Sequence, residues 1–124
     1  HDYYISRYPE AREATVFEGA IDLQFKNNTK YGIVIDTSWS PSSVTVRMWS
    51  TKTVEVESVT GPRTDPTSPS EVQVPASADC VPSGGAPGFT ASDTRIVTSA
   101  KTGREISRET RIKQYAPEPI VRCG

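Results

Sequence analysis

The sequence predicts an all-β protein: antiparallel strands in two small lobes joined by a Pro/Gly-rich ribbon. Three observations predict it. Val, Ile, Thr and Ser are abundant while Leu and Met occur once each, a balance that suits strands over helices. Apolar and polar residues alternate with a period of two in several short runs. Ten prolines in 124 residues interrupt the chain repeatedly, which favours short strands and turns.

The first lobe is expected over residues 1–60. Ile21, Leu23 and Phe25 alternate with Asp22, Gln24 and Lys26, the pattern of a half-buried strand. Asn27-Asn28-Thr29-Lys30 reads as a turn. Gly32 to Trp39 is the next strand, with Ile33 and Ile35 facing inward. After the Ser40-Pro41-Ser42-Ser43 loop, Val44, Val46 and Met48 alternate with Thr45, Arg47 and Trp49 in a third strand. Val54 and Val56 alternate with Glu55 and Glu57 in a fourth. Sequential strands at short spacing predict an antiparallel meander.

Composition changes at Gly61. Residues 61–88 hold most of the prolines together with many Ser, Thr, Asp and Gly, so this stretch reads as a linker or extended ribbon. One short strand fits at Glu71–Val74. The second lobe, residues 61–124, regains its alternation beyond Gly88. Residues 89–99 and 104–115 form two arms around Lys101-Thr102-Gly103, a connection that suits a hairpin with a bulge. A helix over 104–114 is the competing reading, but Ile106 and Ile112 make no helical stripe. The tail, 116–124, is extended.

Charge and cysteine content exclude several classes. Fourteen basic and fifteen acidic residues are interspersed, so no basic stripe invites nucleic acid. No apolar run approaches the roughly 20 residues of a membrane helix. Cys80 and Cys123 admit two readings, a disulfide closing a long loop or a reactive thiol. The disulfide is favoured because Cys123 sits one residue from the chain end with no His nearby. A disulfide implies an oxidising, exported environment. One His and no clustered cysteines leave no metal site, and no cofactor motif occurs. Glu55 and Glu57 share a strand face, which more often marks solvent than a cation site.

The opening residues carry a resemblance. His1 precedes an aromatic strand, followed by the turn Tyr8-Pro9-Glu10-Ala11-Arg12-Glu13-Ala14-Thr15-Val16. Asp22-Leu23-Gln24-Phe25-Lys26-Asn27-Asn28-Thr29 and Tyr31-Gly32-Ile33 come next, and the Val59-Thr60-Gly61-Pro62-Arg63 junction later. These elements resemble the closing part of the VanW domain, found in exported bacterial envelope proteins. The resemblance implies that the chain is a piece of a longer protein whose missing N-terminal part is its first partner. It also implies an extracytoplasmic location. The second lobe loosely resembles the "G-five" surface module in its Pro-rich entry, its Gly88-Phe89-Thr90 strand start, its hairpin at Thr102-Gly103 and its Ile120-Val121 exit.

Family members have been implicated as cysteine-dependent L,D-transpeptidases of peptidoglycan, with a Gly-Gly-Gly-x-Cys-Gln segment upstream of the His. That segment is absent here, and neither Cys80 nor Cys123 takes its place. The 124 residues alone are therefore expected to have no enzymatic activity. His1 is a candidate general base only in the longer protein, where a satisfied structural His is the equal alternative. Trp49, out of phase with Val44, Val46 and Met48, is with Tyr3 a candidate sugar-stacking platform; packing against the missing N-terminal segment or the second lobe is the favoured reading. Two functions follow. One is a non-catalytic part of an exported VanW-like wall protein that completes and anchors a peptidoglycan-acting domain. The other is an independent module that binds wall glycan or a protein partner.

Overall fold

A computed structural model describes residues 8–77 and 79–124. Nine strands and no helix occur among them, as the Val- and Thr-rich, proline-broken sequence predicts. The strands form three separate sheets.

The first sheet is a hairpin of β1 (Val34–Ser40) and β2 (Ser43–Trp49). Its turn is Pro41-Ser42, flanked by a 2.8 Å hydroxyl contact between Ser40 and Ser43. The Ser50 hydroxyl donates to the Gly32 carbonyl at 2.8 Å and closes the open end. Register pairs Ile35 with Met48, Thr37 with Val46 and Trp39 with Val44. Side chains alternate across a strand, so these six residues make one apolar face. Val34, Asp36, Arg47 and Trp49 fall on the other, with Asp36 and Arg47 ion-paired at 3.5 Å. The expected phase is present, with Trp49 on the face opposite Val44, Val46 and Met48, but the face expected to point inward is exposed, because no other strand among the described residues covers it.

The meander extends no further. Residues 21–26 form no strand; only an isolated bridge joins Phe17 to Ile21, and Leu23 and Phe25 are exposed. Alternation made that segment amphipathic, but no strand among the described residues pairs with it. The Asn27 turn is present, its side-chain oxygen accepting the Thr29 N–H at 3.0 Å.

The second sheet is built on the longest strand, β7 (Gly88–Ser99). β3 (Val54–Thr60) and then β4 (Thr64–Thr67) pair along one edge, and β8 (Glu105–Tyr115) along the other. β3, expected to continue the first meander, instead sets Val56 opposite Val97, so strand pairing runs across position 61. The β7–β8 connection is the expected hairpin, with Gly103 at φ +73°. Its N–H donates to the Ser99 carbonyl at 2.8 Å.

The third sheet joins β5 (Glu71–Val74), β9 (Glu118–Cys123) and β6 (Ser83–Ala86), with β9 in the middle. β5 is the expected short strand. It pairs with β9 in parallel, an exception to the antiparallel expectation. The chain between them is long enough for the crossover that a parallel pair requires. Cys80 and Cys123 are disulfide-bonded with Cα atoms 6.1 Å apart, 43 residues apart in sequence. In the chain-entropy model a loop of this length stabilises by about 4 kcal/mol.

Burial is concentrated in one place. Phe89, Ala91 and Tyr115, at the β4 end of the second sheet, form the buried apolar cluster. The accessible surface is 10057 Å², whereas a compact chain of 13.5 kDa would expose about 6,500 Å². Single-layer sheets and the exposed segment 12–30, which joins no sheet, contribute to the excess.

Candidate functional site

The buried cluster is completed by a segment far away in sequence. Pro9 to Arg12 makes a tight turn, with the Arg12 N–H donating to the Pro9 carbonyl at 3.3 Å. Its third residue, Ala11, is at φ +60°, a left-handed conformation that glycine adopts freely and alanine does not. The tertiary contacts of the turn hold it there. The Ala11 N–H donates to the Tyr115 hydroxyl at 3.0 Å, and that hydroxyl donates to Glu13 Oε1 at 2.6 Å. Arg63 donates from Nε to Glu10 Oε1 at 2.8 Å. The same guanidinium lies 3.9 Å from the centre of the Phe89 ring, which in turn packs on Tyr115 at 5.0 Å.

Arg12 completes this strap. Its Nε lies 3.8 Å from Asp93 Oδ1, and Asp93 is 4% exposed. The Ser58 hydroxyl donates to Asp93 Oδ2 at 2.8 Å, while Oδ1 makes no hydrogen bond. The guanidinium is thus what offsets the buried charge, at a range where Coulomb attraction is still strong in a partly dry setting.

Electrostatics at the strap follow from these contacts. Burial pushes the Glu13 carboxyl up. The hydrogen bond from Tyr115, the backbone N–H groups of Glu13 and Arg12 and the charge of Lys113 outweigh it, leaving the pKa below its ordinary 4.5. Tyr115 is pushed above its ordinary 10.0, by burial first and then by its hydrogen bond to Glu13. Both shifts favour the pair as seen, a carboxylate accepting from a neutral phenol.

Beside the strap runs an open groove of about 620 Å³, lined by Tyr8, Pro9, Arg12, Glu13, Val16 and Leu23. Its walls are apolar, with one cation and one carboxylate at the edge. Such a groove can position an extended ligand through shape and two charged contacts.

The residues singled out in the sequence lie elsewhere. Trp49 ends β2, 60% exposed, on the face that carries the Asp36–Arg47 pair. His1 and Tyr3 lie outside the described residues. Cys80 and Cys123 are bonded to each other, so neither offers a thiolate. Glu55 is exposed and ion-paired with Lys52. Of the strap's partners, Arg63 was singled out only within the junction that carries the resemblance, and Asp93 and Tyr115 gave no signal in the pattern. The unusual charge density of Glu10-Ala11-Arg12-Glu13 beside a proline was the one hint that this turn docks on something.

A comparison with protein families matches residues 1–49 to the model described as VanW like protein. The matched stretch contains the strap, the groove and the β1–β2 hairpin. Comparison with curated proteins gave no match, and comparison with solved structures gave none.

Proposed function

Because residues 1–49 match the family model described as VanW like protein, we propose that this chain is a non-catalytic part of an exported, VanW-like cell-wall protein. On this reading it completes a peptidoglycan-acting domain and anchors that domain to a disulfide-braced β lobe. The observation that carries the reading is the split character of the matched segment. Its strap is clamped to the second lobe through Arg63, Asp93 and Tyr115. Its hairpin leaves Ile35, Trp39, Val44, Val46 and Met48 uncovered on one face. Two-stranded hairpins are marginal alone, and an apolar face of this kind suits packing against the rest of a VanW domain. The likeness of the second lobe to a surface module, and its disulfide, suit attachment at the wall.

The test is acrylamide quenching of Trp39 fluorescence, with Trp49 replaced by Phe, in this chain and in the longer protein. Strong quenching in the chain and clear protection in the longer protein support the reading. Equal quenching in both contradicts it. In the longer protein His1 would serve as general base toward an upstream cysteine. His1→Ala should then abolish stem-peptide cross-linking without lowering the melting temperature. Full activity in that variant would remove the catalytic role.

A second reading, a module that binds wall glycan, rests on Trp49. An exposed indole beside a carboxylate and a guanidinium offers a stacking surface with polar groups for sugar hydroxyls. Trp49→Ala should then abolish retention on insoluble peptidoglycan; unchanged retention rejects this reading.

A further inference from the structure

The edge strand β8 carries opposite charges on either side of Thr110. Among the described residues it pairs with β7 alone, and residues 105–114 are exposed throughout. Eleven residues of edge therefore present backbone donors and acceptors to solvent on one side. Charged side chains usually guard such an edge against a second copy. Whether they do depends on register, because opposed residues in an antiparallel pair attract or repel according to sign.

The charges flanking Thr110 are opposite in sign: Glu109 before it, Arg111 after it. If two β8 strands pair antiparallel about Thr110, Glu109 of each faces Arg111 of the other, twice by symmetry. Slipping the register by one residue sets Arg108 opposite Arg111 or Lys113. Slipping by two pairs Glu105, or Glu109, with Lys113 of the other copy, but sets Glu109, or Arg111, opposite its own copy. The centred register thus gains two attractive pairs and has no like-charged pair, while its neighbours each contain a repulsion.

The pattern also continues one already built inside the chain. Across the β7–β8 pair, Arg95 faces Glu109 and Asp93 faces Arg111. In the paired assembly each of these rows would lengthen to four charges of alternating sign. One would run Arg95, Glu109, then Arg111 and Asp93 of the second copy. We infer that β8 is a self-association edge: a second copy of this chain adds its own β8 antiparallel about Thr110, joining the two β7–β8 sheets into one. Such an interface is isologous and closed, giving a dimer and not a filament. Its affinity would come chiefly from main-chain hydrogen bonds, with the charges fixing register. It would tie two wall proteins side by side, whatever their upstream domains do.

The test is sedimentation of the full chain from about 1 to about 200 µM, the range expected for a small polar interface. The native chain should approach twice its 13.5 kDa mass as concentration rises. Glu109→Arg alone and Arg111→Glu alone should each remain monomeric, since each sets like charges face to face. An equimolar mixture of the two variants should dimerise again. At both contacts the first variant then presents a cation and the second a carboxylate, so attraction is restored with the signs exchanged. A native chain that stays monomeric, single variants that still dimerise, or a mixture of folded variants that does not, overturns the inference. Because each variant also meets a like charge across β7, Thr110→Cys in the otherwise native chain provides a second measurement. Opposed Cα atoms about 5 Å apart fit a disulfide, so this variant should form a covalent dimer on oxidation. Ser107→Cys, about 20 Å from its copy along the strand, should not. Cross-linking at 107, or none at 110, also defeats the centred register.

Discussion

The β1–β2 hairpin and the β3–β9 lobe are made from similar residues, yet the lobe holds its shape by tertiary contacts and the hairpin is almost bare. In the hairpin Trp39 is 81% exposed and Val44 78%. In the lobe Phe89, Ala91, Tyr115 and Val97 are buried, a disulfide closes the third sheet, and the strap from residues 9–13 caps one face. Alternation therefore specifies which side of a strand is apolar, but not whether anything covers it. Cover comes from long-range partners. The lobe has them within the chain; the hairpin's apolar face has none among the described residues.

The comparison breaks most severely if the lobe's fastenings prove unimportant. Replacing both cysteines with Ser should lower the stability of the lobe by about 4 kcal/mol. Urea unfolding followed by far-ultraviolet circular dichroism would measure it, and a change near zero would show that the third sheet needs no staple. Gly88→Ala comes next. A Cβ there would meet backbone atoms of Tyr115 at 2.5 Å and Pro117 at 2.7 Å, and backbone cannot swing aside as a side chain can. Forced displacement of this kind costs about 1–3 kcal/mol, and the melting temperature of the variant measures it. Gly84→Ala, with nothing within 4 Å of its Cβ, is the control.

Tyr115→Phe sharpens the comparison at the strap. It leaves the ring packing in place but strands the Ala11 N–H and frees Glu13, at a cost of about 1–3 kcal/mol for the orphaned donor. The pH dependence has a definite sign. Glu13 is depressed when folded, so its contribution is present above its unfolded pKa and is lost as pH falls through the folded one. Tyr115 is raised, so its contribution is present below its unfolded pKa and is lost as pH rises through the folded one. Strap attachment should therefore weaken at both acidic and strongly alkaline pH, and Tyr115→Phe should abolish the alkaline limb. Circular dichroism melts from about pH 3 to about pH 11 in both proteins would reveal it, the range being set by these two side-chain types. The smallest effect is on the hairpin. Arg47→Ala removes an exposed ion pair to Asp36 and should change stability by about 0.5 kcal/mol or less, read by the same melts.

Much of the fold was legible where neighbours in sequence decide it. Lys101-Thr102-Gly103 marked the β7–β8 hairpin because a glycine was needed at positive φ. Val44, Val46 and Met48 marked the face of β2, and Trp49 stood out of phase with them. Glu71–Val74 was short, alternating and bounded by turn residues. What could not be read depends on distant partners. Val54 and Val56 alternate whether β3 pairs with β2 or with β7. The parallel pairing of β5 with β9 leaves no local trace. The strap joins Glu10 to Arg63 and Ala11 to Tyr115, which lie 53 and 104 residues apart, and no period links such positions. The turn that resembled the VanW motif was recognisable as sequence, but its role as a clasp emerges only from Arg63, Asp93 and Tyr115.

The central claim is that the VanW-matched segment is fastened to the lobe at its strap while its hairpin is left uncovered. Amide hydrogen exchange on this chain tests it most directly, since protection tracks the local free energy of opening. The account predicts slow exchange in β7, in β8 and at the Ala11 N–H, fast exchange throughout β1 and β2, and loss of Ala11 protection in Tyr115→Phe. A hairpin as protected as β7, or an Ala11 amide that exchanges freely in the native chain, would contradict it.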